Sequence, residues 1–269
     1  MKTAVIQLNA TDNKQRNIEK ALLLVNRAVA RKAKFILLPE AFNFRGKAGL
    51  RKGHAKVAER IPGMSTEPFI DAAKKHRVFI LAGSIGEFVP GRKNFFNTSV
   101  LIDDRGRIAA KYRKIHLFDA VIGKVKVKES RVFCHGSKAV VTMVGNWAVG
   151  MSICYDLRFP ELYQKYARQG AEVLSVPSVF TKMTGMAHWE ALLRARAIEN
   201  LCYVLAPNQI GKDGNGVPSY GNSMIIDPWG KILARASGVK EEIIYADLDK
   251  KALKDRRAIL PRQGKKRLL

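Results

Sequence analysis

Three residues remote from one another in the chain carry chemistry that fits together. Cys154 lies in Val149-Gly150-Met151-Ser152-Ile153-Cys154-Tyr155-Asp156, where an apolar run gives way to polar and turn-forming residues. Glu40 ends the run Phe35-Ile36-Leu37-Leu38-Pro39-Glu40, and Lys114 sits in Lys111-Tyr112-Arg113-Lys114-Ile115-His116. A thiol is mostly protonated at neutral pH and becomes an effective nucleophile with a base to take its proton and a cation nearby. Glutamate supplies the first and lysine the second. Each residue also has a plainer explanation on its own. Unpaired cysteine is a common compact core residue, and a glutamate or lysine at a strand end is ordinarily solvated.

The elements around these residues decide whether they can meet. Trp147 to Ile153 reads as a buried strand that delivers Cys154 to a sharp turn, before a helix opened by Pro160 and Glu161. Phe35 to Leu38 is an apolar run too short for a helix, so Glu40 falls at the carboxyl end of a core strand. Phe96 to Ile102 and Arg107 to Lys111 flank the turn Asp103-Asp104-Arg105-Gly106 as a hairpin, and Lys114 follows its second strand. Strand carboxyl ends in layered α/β proteins gather at one edge, which lets remote residues converge.

The remaining pattern alternates helix and strand. Asp12 is placed to cap a helix to about Lys32, with Ile18, Ala21, Leu22, Val25 and Val29 on one face. Ser65 is placed to cap another through Lys75, ahead of the strand Val78 to Ala82. Val121 to Ser137 reads as loop, Ala139 to Ile153 as a hairpin turning at Gly145-Asn146, and Ala171 to Pro177 as a buried strand. His188 to Asn200 reads as a helix, and Met224–Ile226, Lys231–Ala234 and Ile243–Tyr245 as closing strands. No repeat or linker interrupts the 269 residues, so one domain over 1–269, an α/β fold with layered sheets covered by helices, is expected.

Composition narrows the class. The chain is 47% hydrophobic and 26% charged, as expected of a globular protein. The N-terminal run is broken by Gln7 and has no secretory cleavage pattern, and no run approaches the length of a membrane helix. A cytoplasmic location and no membrane partner are expected. Cys134, Cys154 and Cys202 are odd in number and lack metal-ligand spacing, which points to reduced thiols and no metal. A net charge of +25 favours anionic partners and leaves a basic nucleic-acid-binding module as a non-enzyme alternative. The densest block is Lys251 to Leu269, with eight cations against Asp255, and reads as a helix and a solvated tail. Elsewhere the charge is spread thinly, which fits solubility, ion pairing or a small anionic substrate better than a nucleic-acid groove.

Leu38-Pro39-Glu40, Tyr112-Arg113-Lys114-Ile115-His116-Leu117-Phe118-Asp119 and Ile153-Cys154-Tyr155-Asp156-Leu157-Arg158-Phe159-Pro160-Glu161 resemble the three signature blocks of the nitrilase superfamily of carbon-nitrogen hydrolases. Gly185 to Glu190, Arg194 to Asn200, Ser219 to Ser223 and Asp227-Pro228-Trp229-Gly230 resemble its supporting blocks. The resemblance spans nearly the whole chain. It implies a four-layer α-β-β-α sandwich that commonly dimerises, a triad of Glu40, Lys114 and Cys154, and a second glutamate, Glu129, that positions substrate and lysine. No cofactor is implied. The Cys154 block and Gly185 to Asn200 most resemble small amidases acting on deaminated glutathione or on ω-amides of keto acids.

The expected activity is therefore hydrolysis of a small, carboxylate-bearing amide through a cysteine thioester. The oxyanion would be held by Lys114 and the backbone amide of Tyr155, and the substrate carboxylate by Arg45 or Arg158, unless those arginines serve as structural ion-pair partners. A true nitrilase or carbamoyl-amide hydrolase is the alternative within the same chemistry. A cysteine-histidine hydrolase using His116 or His188 would leave Glu40 and Lys114 without roles. The loop Asp119-Ala120-Val121-Ile122-Gly123-Lys124 is one residue shorter than in related amidases and lacks their proline, a departure that leaves the loop shape and substrate choice open while the chemistry stays as expected.

Overall fold

Alternating apolar runs and amphipathic segments fold into β1 (Lys2–Gln7), α1 (Lys14–Ala30), β2 (Phe35–Leu37), α2 (Arg51–Ala55) and α3 (Glu67–His76). Next come β3 (Phe79–Glu87), β4 (Phe96–Ile102), β5 (Ile108–Arg113), β6 (Asp119–Ile122) and β7 (Val125–Lys128). The second half holds β8 (Val140–Val144), β9 (Trp147–Met151), α4 (Pro160–Arg168), β10 (Val173–Ser175) and α5 (Lys182–Asn200). It closes with β11 (Tyr203–Ala206), β12 (Met224–Ile226), β13 (Ile232–Arg235), β14 (Glu242–Asp247) and α6 (Lys250–Ile259). The computed structural model describes residues 1–46, 51–122, 125–214 and 216–260. The basic tail beyond Leu260, and Gly123 and Lys124 of the shortened loop, lie outside the described residues.

The strands form two six-stranded sheets, ordered β14-β1-β2-β3-β4-β5 and β13-β12-β11-β10-β9-β8, with β6 and β7 as a separate pair. Side chains of period two divide the first sheet into two apolar faces. Val5, Phe35, Leu37, Leu81, Leu101 and Tyr112 pack with Val149, Met151, Val173 and Val204 of the second sheet. Ala4, Ile6, Ile36, Ile80, Val100 and Ile102 pack instead against Ile18, Ala21 and Val25 of α1 and Phe69 and Ala73 of α3. Leu162 and Tyr163 of α4 and Trp189 and Leu193 of α5 cover the second sheet, which gives the four layers α-β-β-α.

Local chemistry moves several expected boundaries. Asn13, not Asp12, caps α1, because its side chain accepts from the Arg16 amide. Thr66, not Ser65, precedes α3, while Ser65 Oγ accepts from Asn43 Nδ2 at 2.9 Å. The segment read as loop from Val121 to Ser137 contains part of the β6–β7 pair and a 3₁₀ turn at Glu129–Arg131, with strand alternation too short to register as a pattern. Helix α5 starts six residues ahead of His188, capped by Thr181, whose side chain accepts from the Thr184 amide. Gly185 lets that first turn close on Tyr220, since a Cβ there would sit 2.3 Å from the ring. The last strand crosses to the first sheet, where Lys2 pairs with Asp247 and Gln7 with Glu242. Among the described residues, no helix is long and apolar enough to cross a membrane.

Candidate active site

Strand β2, parallel to β1 and β3, and strand β9, parallel to β10, end at the same edge of the sandwich, and the chain leaves each through an unusual backbone conformation. Ala41, just past Glu40, has φ +53° and donates its amide to Ser84 Oγ at 3.1 Å. The Glu40 carbonyl accepts from Gln209 Nε2 at 2.9 Å. Cys154 itself has φ +47°, the left-handed region that L-residues rarely occupy, and donates its amide to the Pro177 carbonyl at 3.0 Å. It opens a 3₁₀ turn over Cys154–Arg158. Lys114 lies one residue beyond β5 and is anchored by its amide to the Asn97 carbonyl at 2.8 Å. Backbone strain of this kind persists where the surroundings over-determine it, and functional sites are where it concentrates.

These anchors bring the candidate groups together. Lys114 Nζ donates to Glu40 Oε1 at 2.9 Å and to Glu129 Oε2 at 2.9 Å. Asn97 Nδ2 bridges the same carboxylates, donating to Glu40 Oε1 at 2.9 Å and Glu129 Oε1 at 3.0 Å. The Val179 amide donates to Glu40 Oε2 at 2.9 Å, and the Phe118 amide to Glu129 Oε2 at 2.6 Å. Cys154 Sγ stands 3.8 Å from the Val179 carbonyl. Lys114 is 2% exposed, Glu40 5% and Cys154 8%, so the plainer reading of solvated strand ends does not hold. A buried ammonium between two carboxylates is a closed network in which removing one charge leaves another uncompensated.

Electrostatics sets the resting protonation. Burial and the Glu40 carboxylate push the Cys154 thiol well above its ordinary range, against the pull of Lys114. Burial works to discharge Lys114, but Glu129 and Glu40 outweigh it and hold the ammonium well above its ordinary range. The arrangement is thus a neutral thiol beside a hydrogen-bonded carboxylate and a fixed cation. It suits a nucleophile whose proton leaves as the new bond forms, rather than a preformed thiolate.

The cluster opens into a cavity of about 600 Å³ whose wall includes Glu40, Lys114, Glu129, Cys154 and Arg45. Arg45 Nη2 donates to Ser219 Oγ at 2.7 Å. Burial pulls the Arg45 guanidinium down to about 10, with Asp213 and Glu40 acting in the other direction, so it stays charged at neutral pH. Tyr155 turns its ring onto Phe118 and Phe159, at 5.0 and 5.5 Å, and contributes its backbone next to the thiol. Arg158 is not in the cavity wall. Its guanidinium lies 3.3 Å from His188 Nδ1 and 5.5 Å from the Phe180 ring centre. His116 is also set apart, stacked on Phe159 at 3.7 Å with Nδ1 2.7 Å from Asp156 Oδ1.

Asn97, Val179 and Phe118 were not legible as site residues. Asn97 lies inside the strand run Phe96-Asn97-Thr98, where an asparagine against strand propensity was the available signal. The other two act through backbone amides, which side-chain identity does not reveal.

The family described as carbon-nitrogen hydrolase matches residues 2–258. The omega-amidase NIT2 of Homo sapiens is 38% identical over 259 residues, covering 96% of this chain and 92% of that protein. The deaminated glutathione amidase of Dictyostelium discoideum is 40% identical over 251 residues, covering 90% of this chain and 86% of that protein. The crystal structure of Saccharomyces cerevisiae Nit3, described as a member of branch 10 of the nitrilase superfamily, aligns with a TM-score of 0.89 and 32% identity. That alignment covers 100% of this chain and 97% of the yeast chain.

Proposed function

Because this chain belongs to the carbon-nitrogen hydrolase family, we propose that it is an amidase cleaving a carboxylate-bearing amide to acid and ammonia, with Glu40, Lys114 and Cys154 as its catalytic triad. The observation that carries this reading is the Lys114 ammonium held 2.9 Å from Glu40 and 2.9 Å from Glu129 in the cavity that Cys154 enters. Glu40 takes the thiol proton as Cys154 Sγ adds to the amide carbonyl. The tetrahedral oxyanion is met by Lys114 Nζ and the Tyr155 amide, in the first turn after the thiol, where backbone N–H groups have no acceptor within the turn. Glu40 returns the proton to the departing nitrogen, which releases ammonia and leaves a thioester. It then takes a proton from water, whose oxygen attacks the thioester, and the acid leaves with the thiol restored. Glu129 holds Lys114 from the opposite side.

Similarity to an omega-amidase and a deaminated glutathione amidase supports substrates of those two classes. Arg45, Lys128 and Lys182 join Lys114 as cations in the cavity wall, and Arg45, the buried one of the three, is suited to the substrate carboxylate. Residues 1–269 would act as one domain in the cytoplasm, as a homodimer or higher homo-oligomer. Exposed Met183, Met186 and Ile198 on α5 offer the apolar surface for a second copy.

The test is ammonia release from ω-amides of keto acids, deaminated glutathione, nitriles and carbamoyl compounds, with Cys154→Ala as control. Release from an amide that disappears in Cys154→Ala is expected. Full amide turnover by Cys154→Ala refutes the mechanism, and turnover of nitriles or carbamoyl compounds alone moves the activity to those classes.

A further inference from the structure

The cavity is larger and less polar than a short ω-amide requires. A keto-acid ω-amide, of roughly ten non-hydrogen atoms, fills well under half of a space in the range of drug-sized pockets, and the cavity measures about 600 Å³. Beyond the charged cluster its wall passes through Phe44, His54, Val57, Ile85, Gly86 and Phe133. The His54 ring meets Phe44 edge-on at 5.9 Å and 81°, and Phe133 at 5.2 Å and 72°. Burial holds His54 below its ordinary range, so this wall presents an uncharged surface at neutral pH.

Gly86 ties the apolar wall to the reacting groups. It pairs directly with Asn97 across β3 and β4. Paired residues on antiparallel strands project to the same face, so the open side of Gly86 lies beside the amide that binds Glu40 and Glu129. Neither backbone nor packing demands glycine at this position. A Cβ would meet Ala58 at 3.6 Å and Phe133 at 3.9 Å, ordinary contacts, and its φ lies outside the left-handed region. At Gly83, three residues earlier in the same strand, a Cβ would fall 1.8 Å from the Pro39 carbonyl oxygen. A glycine inside a strand weakens it and often marks a bulge or a place where a ligand or another backbone comes close. The Glu59 amide does reach the Gly86 carbonyl, at 3.0 Å, but Gly86 also lines the cavity, where a substrate group could approach it.

We propose that the wall formed by Phe44, His54, Val57, Ile85 and Phe133 is a subsite for an uncharged apolar group, aromatic or branched, on the substrate's acyl chain, and that Gly86 sets the size of group admitted. This rests on the amidase reading and extends it. The substrate is then an amide with a carboxylate and, in addition, an apolar branch, bound with the scissile carbonyl at Cys154.

The test compares ammonia release from glutaric acid monoamide and from its 3-phenyl derivative, in wild type, Gly86→Leu and Gly86→Ala. In wild type the ratio of kcat/KM, phenyl over unsubstituted, is expected above about tenfold, and Gly86→Leu is expected to lower it at least threefold, since a single methylene in an apolar pocket changes discrimination about 10–200-fold. Circular dichroism reports whether Gly86→Leu is folded. If it is not, the same threefold mark is read on Gly86→Ala. A wild-type ratio below that level, or a smaller fall in the folded variant, overturns the subsite while leaving the amidase reading intact. Failure of wild type to release ammonia from any amide overturns both.

Discussion

Glu40 Oε1 accepts from both Lys114 and Asn97 while Oε2 accepts from the Val179 amide, so the carboxylate is fixed from three sides and cannot rotate away from the thiol. Replacing it by glutamine keeps the shape and removes the base of the proposed mechanism, and kcat should fall about 10²–10⁴-fold in an ammonia-release assay. Asn97→Ala should leave both carboxylates short of a donor and lower kcat about 10²-fold with a smaller change in KM. Unchanged kcat in that variant would mean that Lys114 and the Val179 and Phe118 amides align the pair without Asn97. The thiol gives a pH-dependent prediction. Burial and Glu40 raise its pKa, so Cys154 keeps its proton across neutral pH. Wild type and Cys154→Ser should therefore show no difference in 240 nm thiolate absorbance from about pH 6 to pH 9. A thiolate signal at neutral pH would mean that Lys114 prevails over Glu40.

At the scale of elements, Glu87 at the end of β3 stitches together the sheet that delivers Lys114. It accepts from Thr98 Oγ1 of β4 at 2.8 Å, and from Lys111 Nζ and Arg113 Nε of β5 at 3.1 and 2.7 Å. Burial pushes the Glu87 carboxyl up, but Arg113, Thr98 and Lys111 outweigh it and hold it below its ordinary range. A depressed carboxyl contributes stability that is fully present above its unfolded pKa and is lost as pH falls through the folded value. Glu87→Gln should therefore cost about 1–3 kcal/mol at pH 7 in denaturant unfolding and flatten the loss of stability below about pH 4. Equal acid sensitivity in variant and wild type would place the acid transition elsewhere. The helix covering the second sheet has a different character: α5 buries Trp189 and Leu193 yet leaves Met186 67% exposed.

For the whole molecule, that exposed apolar surface and the charge pull in opposite directions. A net charge of +25 disfavours self-association, whereas Met183, Met186 and Ile198 favour a partner on α5. The dimer reading predicts a mass of twice 30.0 kDa by light scattering for wild type and a shift toward monomer in Met186→Glu. A wild-type monomer at micromolar concentration would end it. Some of the basic side chains are used internally, as in Lys14–Glu59 at 3.1 Å and Lys250–Glu172 at 2.5 Å.

Sequence by itself determined the alternation of elements and the motif blocks, and from them the family, because apolar period and turn chemistry are local properties of the chain. It placed Glu40, Lys114 and Cys154 at strand ends and named Glu129 by resemblance. Only the tertiary structure decided that these four groups share one buried cluster, since convergence depends on the order of strands in two sheets and on β14 returning to pair with β1. It also decided the direction in which the thiol is pushed, upward, which follows from burial and a neighbour 114 residues away in sequence. The roles of Asn97, Val179 and Phe118, and the space left at Gly86, are products of packing between strands and loops distant in the chain. No single segment carries that information.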